Sequence, residues 1–322
     1  MGRVIALKSK KGARVIVETC MGVKSGERVL LVTQEGFEET AGILASEVSV
    51  LGAKPIIKVV KGSEMEVEPP KEVVDLMLSS EVILAVLDLK YLQLFAHMDA
   101  RARATDAGAR VGLVPFILWD ITEEDVLRIK DLTEKLAKIM GKGKKAHITT
   151  ALGTDVTMSI EGRPVQQLKA VFRNPGEWGA VPFYAEAAVA PIEGTAQGKA
   201  VIDVFFEKIG AIKQPMEWTI KNGRLVEISG GKEAEMLKQI IREADENATN
   251  IAELGVGTNH IFKNFTGTIG DKMVLGTVHL AIGKSINIGG EVMSNIHHDA
   301  VISKVTLEID GRKILDNGKC LI

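Results

Sequence analysis

Between Arg28 and Leu87 the chain switches repeatedly between two hydrophobic rhythms, and this alternation restricts the fold more than any other feature of the sequence. RVLLVT (28–33) is a β-branched run after a Gly-Glu turn, and residues 35–51 carry helical apolar spacing that stops at Gly52, a natural helix C-cap. KPIIKVV (54–60) reads as a second strand, 70–80 as a second helix and 82–87 as a third strand. Beyond them, 92–107 reads as helix and 110–115 as strand. Residues 122–140 form a helix with Thr122 as N-cap and Glu123, Glu124 and Asp125 in its acidic first turn. Strands separated by helices predict an α/β domain with a mostly parallel sheet. No GxGxxG follows the first strand, so this sheet is not expected to hold a dinucleotide.

GKGKK (141–145) reads as a flexible linker, without the spacing of a phosphate loop. After it the rhythm becomes β: HITTALGTDVTMSIEGRP alternates on both sides of a Gly-Thr-Asp turn, and 188–203, 217–228 and 274–282 continue the pattern. One helix, 232–244, interrupts. The expected organisation is an N-terminal α/β domain over 1–143 and a C-terminal β-rich α+β domain over 144–322. A chain of 322 residues, 46% of them hydrophobic, can bury two such cores.

Composition removes several classes of function. A net charge of −2, an aromatic content of 4% and the lack of a basic run with interleaved aromatics argue against nucleic-acid binding. The first twenty residues contain no apolar signal region, and no run approaches the length of a membrane span, so the cytoplasm is the expected compartment. Ala6 stands where myristoylation at Gly2 needs a hydroxyl, and Cys320 is one place too close to the end for prenylation. Cys20 and Cys320 are too few and too far apart for a metal cluster, and are expected to be reduced thiols, with a single bridge between them as the alternative.

The chemistry concentrates in the last third. IAELGVGTN, DKMVLGTVHLAIG and SNIHHDAV set Glu253, His279, His297 and Asp299 among glycines and β-formers. Alternate residues of a strand share a face, so His297 and Asp299 point the same way and His298 the other. A carboxylate with two imidazoles is a ligand set for zinc, cobalt, manganese or non-haem iron. Earlier, NPGEWGAVPFYAEAAVAPIEGTAQG contains Glu177, Glu186 and Glu193. Of these, Glu186 lies in the apolar segment YAEAAVAP, where a carboxylate needs a partner or a metal.

GTDVTMSIEGRP, AEAAVAPIEGTAQG, AELGVGTN, DKMVLGTVHLAIG and SNIHHD together, in this order and spacing, resemble the thermophilic metallo-aminopeptidase family typified by aminopeptidases T and S. The resemblance spans most of the chain and is most specific from Gly153 onward. It implies metal ligands at Glu186, Glu253, His279, His297 and Asp299, the residues chosen above on chemical grounds. Glu186 and Glu253 are the carboxylates expected to act in catalysis.

The resemblance implies two divalent ions, zinc or cobalt, about 3.5–4 Å apart with a bridging carboxylate and an activated water. Glu253 is expected to bridge, with Glu186 and His279 toward one ion and His297 and Asp299 toward the other. The implied activity is hydrolysis of N-terminal residues from peptides, by a homodimer with a peptide or small-molecule substrate and neither nucleic acid nor membrane as partner. One element departs from the pattern: the peptidases carry a tyrosine seven residues after the histidine of the HLAIG segment, and Ile286 stands there.

A related branch of the superfamily comprises ring-opening dioxygenases of dihydroxypyridines with one ferrous ion. Under that alternative His279, His297 and Asp299 supply the facial set, although Glu253 stands where that branch carries histidine. A non-catalytic metal-binding homologue is the third reading. Asp271 and Lys272 are expected either behind the ligands or as a solvated turn pair, and Gly255, Gly257, Gly276 and Gly283 to permit close backbone packing.

Overall fold

The computed structural model describes residues 10–115, 120–182 and 184–322. Gly2 and Ala6, considered above for acylation, lie outside them.

The chain divides into two compact units, one of Met1–Lys130 with Ala170–Tyr184 and one of Asp131–Lys169 with Ala185–Ile322. Where one boundary at 143 was expected, the chain passes between the units three times, after Lys130, Lys169 and Tyr184. GKGKK is not a linker: it turns the chain within the second unit, from the helix Glu123–Met140 to the strand Lys145–Thr149. Its Gly143 is a packing residue, since an added Cβ would collide with the Ile309 side chain.

The first unit is built as the alternation predicts. Its described strands form one parallel sheet in the order Lys54–Val60, Arg28–Gln34, Val82–Val86, Arg110–Leu113, Trp178–Ala180. The last of these is only three residues long and lies far along the chain, too short for its alternation to be read. The expected helix 92–107 is two helices, Leu89–His97 and Asp99–Asp106. They part at Met98, whose backbone is extended, and the Glu68 carboxylate caps the second by accepting from the backbone N–H of Asp99 at 2.6 Å and of Ala100 at 3.0 Å. At the expected N-cap, Thr122 Oγ1 accepts from Asp125 N at 3.1 Å while Asp125 accepts from Thr122 N at 3.0 Å, a reciprocal cap.

The second unit is β-rich, with an eight-stranded and a seven-stranded sheet among the described residues. The expected strand 217–228 is a hairpin, Met216–Lys221 and Arg224–Ser229, turning at Asn222-Gly223 where both φ angles are positive. One apolar core lies between the sheets. Ile148, Val156, Ala200 and Trp218 enter it from the larger sheet, and Leu254, Val256, Leu280, Ile282, Ala300 and Ile302 from the smaller. Phe206 meets Trp218 edge-on across it, with ring centroids 6.1 Å apart.

In the seven-stranded sheet the order is Gly210–Ala211, Phe205–Phe206, His297–Ile302, Val278–Gly283, Ile251–Gly257, Ala185–Val189, Val165–Lys169. Since Leu254, Leu280 and Ala300 fill the core, the alternate residues of the same strands line the opposite face. That face carries the site. Among the described residues no helix is long and apolar enough to cross a membrane.

Candidate metal centre

Strand register assembles the site. Glu253 pairs with Ala281 and Ala281 with Asp299, while Gly255 pairs with His279 and Gly257 with Glu186. Directly paired residues share a face, as do residues two apart on one strand. Glu186, Glu253, His279, His297 and Asp299 therefore project together from four adjacent strands. The floor between them is made of Gly255, Gly257, Ala281 and Gly283, and these small residues leave room for the donors. A Cβ on Gly255 would strike the His279 imidazole, and one on Gly257 would lie 2.7 Å from the Lys272 carbonyl oxygen.

All five candidate residues converge, and the potential donor atoms fall into two groups that share Glu253: Glu186, Glu253 and His279, and Glu253, His297 and Asp299. Glu253 turns one oxygen to each. Its Oε1 is 3.1 Å from His279 Nε2, and its Oε2 is 3.0 Å from His297 Nε2. His279 Nε2 also approaches Glu186 at 3.5 Å, and His297 Nε2 lies 3.8 Å from Asp299 Oδ1. The triad His279, His297 and Asp299, expected for a ferrous site, is not among the compact groups in the described residues.

The two histidines differ in how they are held. His297 Nδ1 is 2.7 Å from the Lys284 carbonyl oxygen, to which it donates, so Nε2 is the atom turned into the site. His279 is fully buried, and its Nδ1 has no hydrogen-bond partner among the described residues.

A sixth residue joins the cluster, one that the sequence left open between a place behind the ligands and a solvated turn. Lys272, on the short 3-10 helix Ile269–Met273, is buried, with Nζ 3.0 Å from Asp299 Oδ2 and 3.2 Å from each oxygen of Glu186. Its hydrogen bond goes to Glu186 Oε1, and Glu186 Oε2, like Asp299 Oδ1, is a buried oxygen without a donor among the described residues. Its neighbour Asp271 does something else: it accepts from Thr266 N at 2.7 Å and Gly267 N at 2.8 Å and fixes that turn. A DK pair between glycines carries no periodicity that would separate these two fates.

Burial and pairing set the charges. Burial opposes ionisation of Glu253, but hydrogen bonds donated by His279 and His297 overcome it and hold its carboxyl well below the usual carboxylate range. Burial raises Glu186 above its ordinary value in spite of Lys272 and His279. At Asp299 the balance reverses, and Lys272 with His279 holds the carboxyl low against the same burial. Burial works against a charged His297, yet Glu253 and Asp299 raise it to about 9, and the bond to Glu253 raises His279 in the same way.

The remaining candidates lie outside the cluster. His298 points to the opposite side, 3.4 Å from Glu207 and edge-on to Phe206. Glu177 accepts from Asn174 N, and Glu193 pairs with Arg163 and accepts from Glu291 N at 2.8 Å. Ile286, at the tyrosine position of the peptidases, is half exposed. Cys20 and Cys320 are free thiols.

The buried carboxylates and imidazoles on one sheet face of this mixed α/β chain form groups that could hold a metal ion. Residues 16–322 match the family described as NicX: 2,5-dihydroxypyridine 5,6-dioxygenase, and the chain belongs to that family. No curated protein matches it. Among solved structures, it is similar to the 2,5-dihydroxypyridine dioxygenase from Pseudomonas putida KT2440, with a TM-score of 0.75 and 15% identity over 97% of this chain and 96% of that one. It is also similar to wild-type AmpT from Thermus thermophilus, with a TM-score of 0.65 and 17% identity over 97% of this chain and 98% of the other. At these identities the likeness is one of fold. The family is thus the dihydroxypyridine dioxygenase branch that the sequence left as the alternative, not the peptidase family that the motifs put first, and the fold is similar to both solved structures.

Proposed function

We propose that the second unit is catalytic and uses one divalent metal, iron in the first instance, to open a dihydroxylated pyridine-type ring with dioxygen. Beside family membership, the observation that carries this reading is the asymmetry of the two histidines. His297 has its outer nitrogen fixed by the Lys284 carbonyl, the arrangement that orients a metal-bound imidazole, whereas His279 lacks such a partner. The ion is therefore assigned to Glu253, His297 and Asp299.

These residues fit a cation. Asp299 Oδ1 is a buried acceptor with no donor, at the side of the carboxylate that faces His297. A mixed nitrogen and oxygen set suits iron or manganese, and a redox-active ion there supplies a path for electrons between the ring diol and dioxygen. In a dioxygenase both oxygen atoms enter the product as a ring bond breaks, so no external reductant is needed. Glu253 and Asp299 supply the negative charge, and the Lys284 carbonyl fixes the His297 ring. Glu186, whose carboxyl burial raises, is suited to exchange a proton with a substrate hydroxyl.

One observation favours a second reading. Glu253 presents a separate oxygen to each donor group, which is the geometry of a bridge between two ions in a hydrolase acting on peptide amino termini. Oxygen uptake by iron-loaded protein with 2,5-dihydroxypyridine separates the readings from release of chromophore by zinc- or cobalt-loaded protein with aminoacyl substrates. Uptake at one metal per chain is expected. Aminoacyl hydrolysis with two metals per chain would replace the oxygenase by the peptidase, and bound metal without either turnover would make the chain a non-catalytic homologue.

A further inference from the structure

We propose that Lys272 is a built-in counter-cation that limits this site to one divalent ion. The inference rests on the metal reading above and concerns the half of the cluster that reading leaves empty of metal. The second donor group consists of Glu186, Glu253 and His279. Its Glu186 is engaged by the Lys272 ammonium at 3.2 Å from both oxygens, closer than the 3.5 Å that separates it from His279 Nε2. The same ammonium takes Asp299 Oδ2 at 3.0 Å and leaves Oδ1 on the side of His297. Lys272 thus takes the Oε1 side of Glu186 and sets its ammonium beside Oε2, the oxygen turned toward His279, so that a second cation there would meet a like charge, while the remaining oxygen of Asp299 stays with the first group.

Charge points the same way. The Lys272 ammonium already stands between Glu186 and Asp299, and a second dication beside Glu186 would face both that ammonium and the first ion in a buried pocket, where repulsion between like charges is weakly screened.

The position of Lys272 is itself built into the fold. Gly257 accepts the close approach of the 3-10 helix, since an added Cβ would sit 2.7 Å from the Lys272 carbonyl. Thr277 Oγ1 donates to that same carbonyl at 3.2 Å, and the neighbouring Asp271 closes the preceding turn. A lysine held by its backbone in this way does not need to reach in from a mobile loop.

The test is metal stoichiometry of the full chain, freed of metal by chelation and titrated with zinc chloride, with bound metal counted after gel filtration and affinity measured by calorimetry. The parent and Lys272→Arg are expected to bind one zinc per chain. Lys272→Met, which keeps the bulk and removes the charge, is expected to bind two, the second at least tenfold more tightly than any second equivalent in the parent. Lys272→Gln, which retains a donor for the two carboxylates, gives the same expectation and serves if Lys272→Met does not fold. Two tightly bound ions in the parent overturn the inference without any variant, and so does a folded, uncharged variant that stays at one. A parent that binds no zinc removes the metal reading and this inference with it. That outcome differs from one ion in both parent and variant, which removes the inference alone.

Discussion

Asp299 divides its carboxylate between two neighbours: Oδ2 forms an ion pair with Lys272 Nζ at 3.0 Å, while Oδ1 lies buried without a donor among the described residues, 3.8 Å from His297 Nε2. A buried oxygen with no hydrogen attached to it costs about 1–3 kcal/mol unless something positive meets it. A cation held at the proposed site would remove that cost. Chelation is expected to lower the melting temperature by several degrees, and readdition of iron(II) or zinc to restore it. At a free metal concentration of one hundred times Kd the stabilisation is about 2.7 kcal/mol. Differential scanning calorimetry with and without chelator checks this, and an unchanged melting temperature would contradict it.

Gly255 faces the His279 ring so closely that a methyl group has no place. Gly255→Ala is expected to push the imidazole away from Glu253 and Glu186, at a cost of about 1–3 kcal/mol in stability. The ion assigned to Glu253, His297 and Asp299 should stay bound with weakened affinity, because those side chains stand on neighbouring rows of the sheet. Urea unfolding together with metal analysis reads both effects.

His298 provides the opposite control. It is adjacent in sequence to two candidate ligands but turns to Glu207 and Phe206 on the other side of the sheet. His298→Ala is expected to destabilise the fold by about 0.5–3 kcal/mol while metal content stays at the parental value. Loss of metal from a folded variant would mean that the facing of this strand has been misassigned.

Much of this was legible in the sequence because it depends on period and register. The α/β alternation of the first unit, the HxD pair and the opposite orientation of His298 all follow from the parity of a strand, and the spacing of Glu253, Gly255 and Gly257 obeys the same rule. What could not be read depends on contacts distant along the chain. The strand Trp178–Ala180 is too short to signal itself and joins the first unit only by pairing with Arg110–Leu113. GKGKK has the composition of a linker, yet Gly143 is there to admit Ile309. Lys272 has no local pattern at all; its role comes from the Glu186 and Asp299 side chains that meet it.

Thiol reactivity gives a further check on burial. Cys20 is fully buried, and burial pushes its thiol far above the ordinary value, so it holds almost no thiolate at neutral pH. Cys320 is only partly buried near the chain end. One thiol per chain is expected to react rapidly with an aromatic disulfide reagent in the native protein and two after denaturation, with Cys320→Ser removing the rapid phase.

The two candidate ligand histidines are expected to behave unequally, and this is where the assignment of the ion is most exposed. His297 is oriented by the Lys284 carbonyl and turns Nε2 toward Glu253 and Asp299, so His297→Ala removes a ligand that has already been positioned. Its cost should exceed the roughly 10–100-fold in affinity that loss of an outer-shell partner alone produces. His279 belongs to the group in which Lys272 already engages Glu186. Replacing it removes a hydrogen bond to Glu253 but no ligand of the assigned ion, so His279→Ala should retain one metal per chain with affinity within about 10-fold of the parent, by the same outer-shell scale. Calorimetric titration of both metal-free variants with zinc and with iron(II) under anaerobic conditions measures the difference. Equal and complete loss in the two would place the ion between the histidines. Loss confined to His279→Ala would move it to the Glu186 side and displace Lys272 from the role assigned to it.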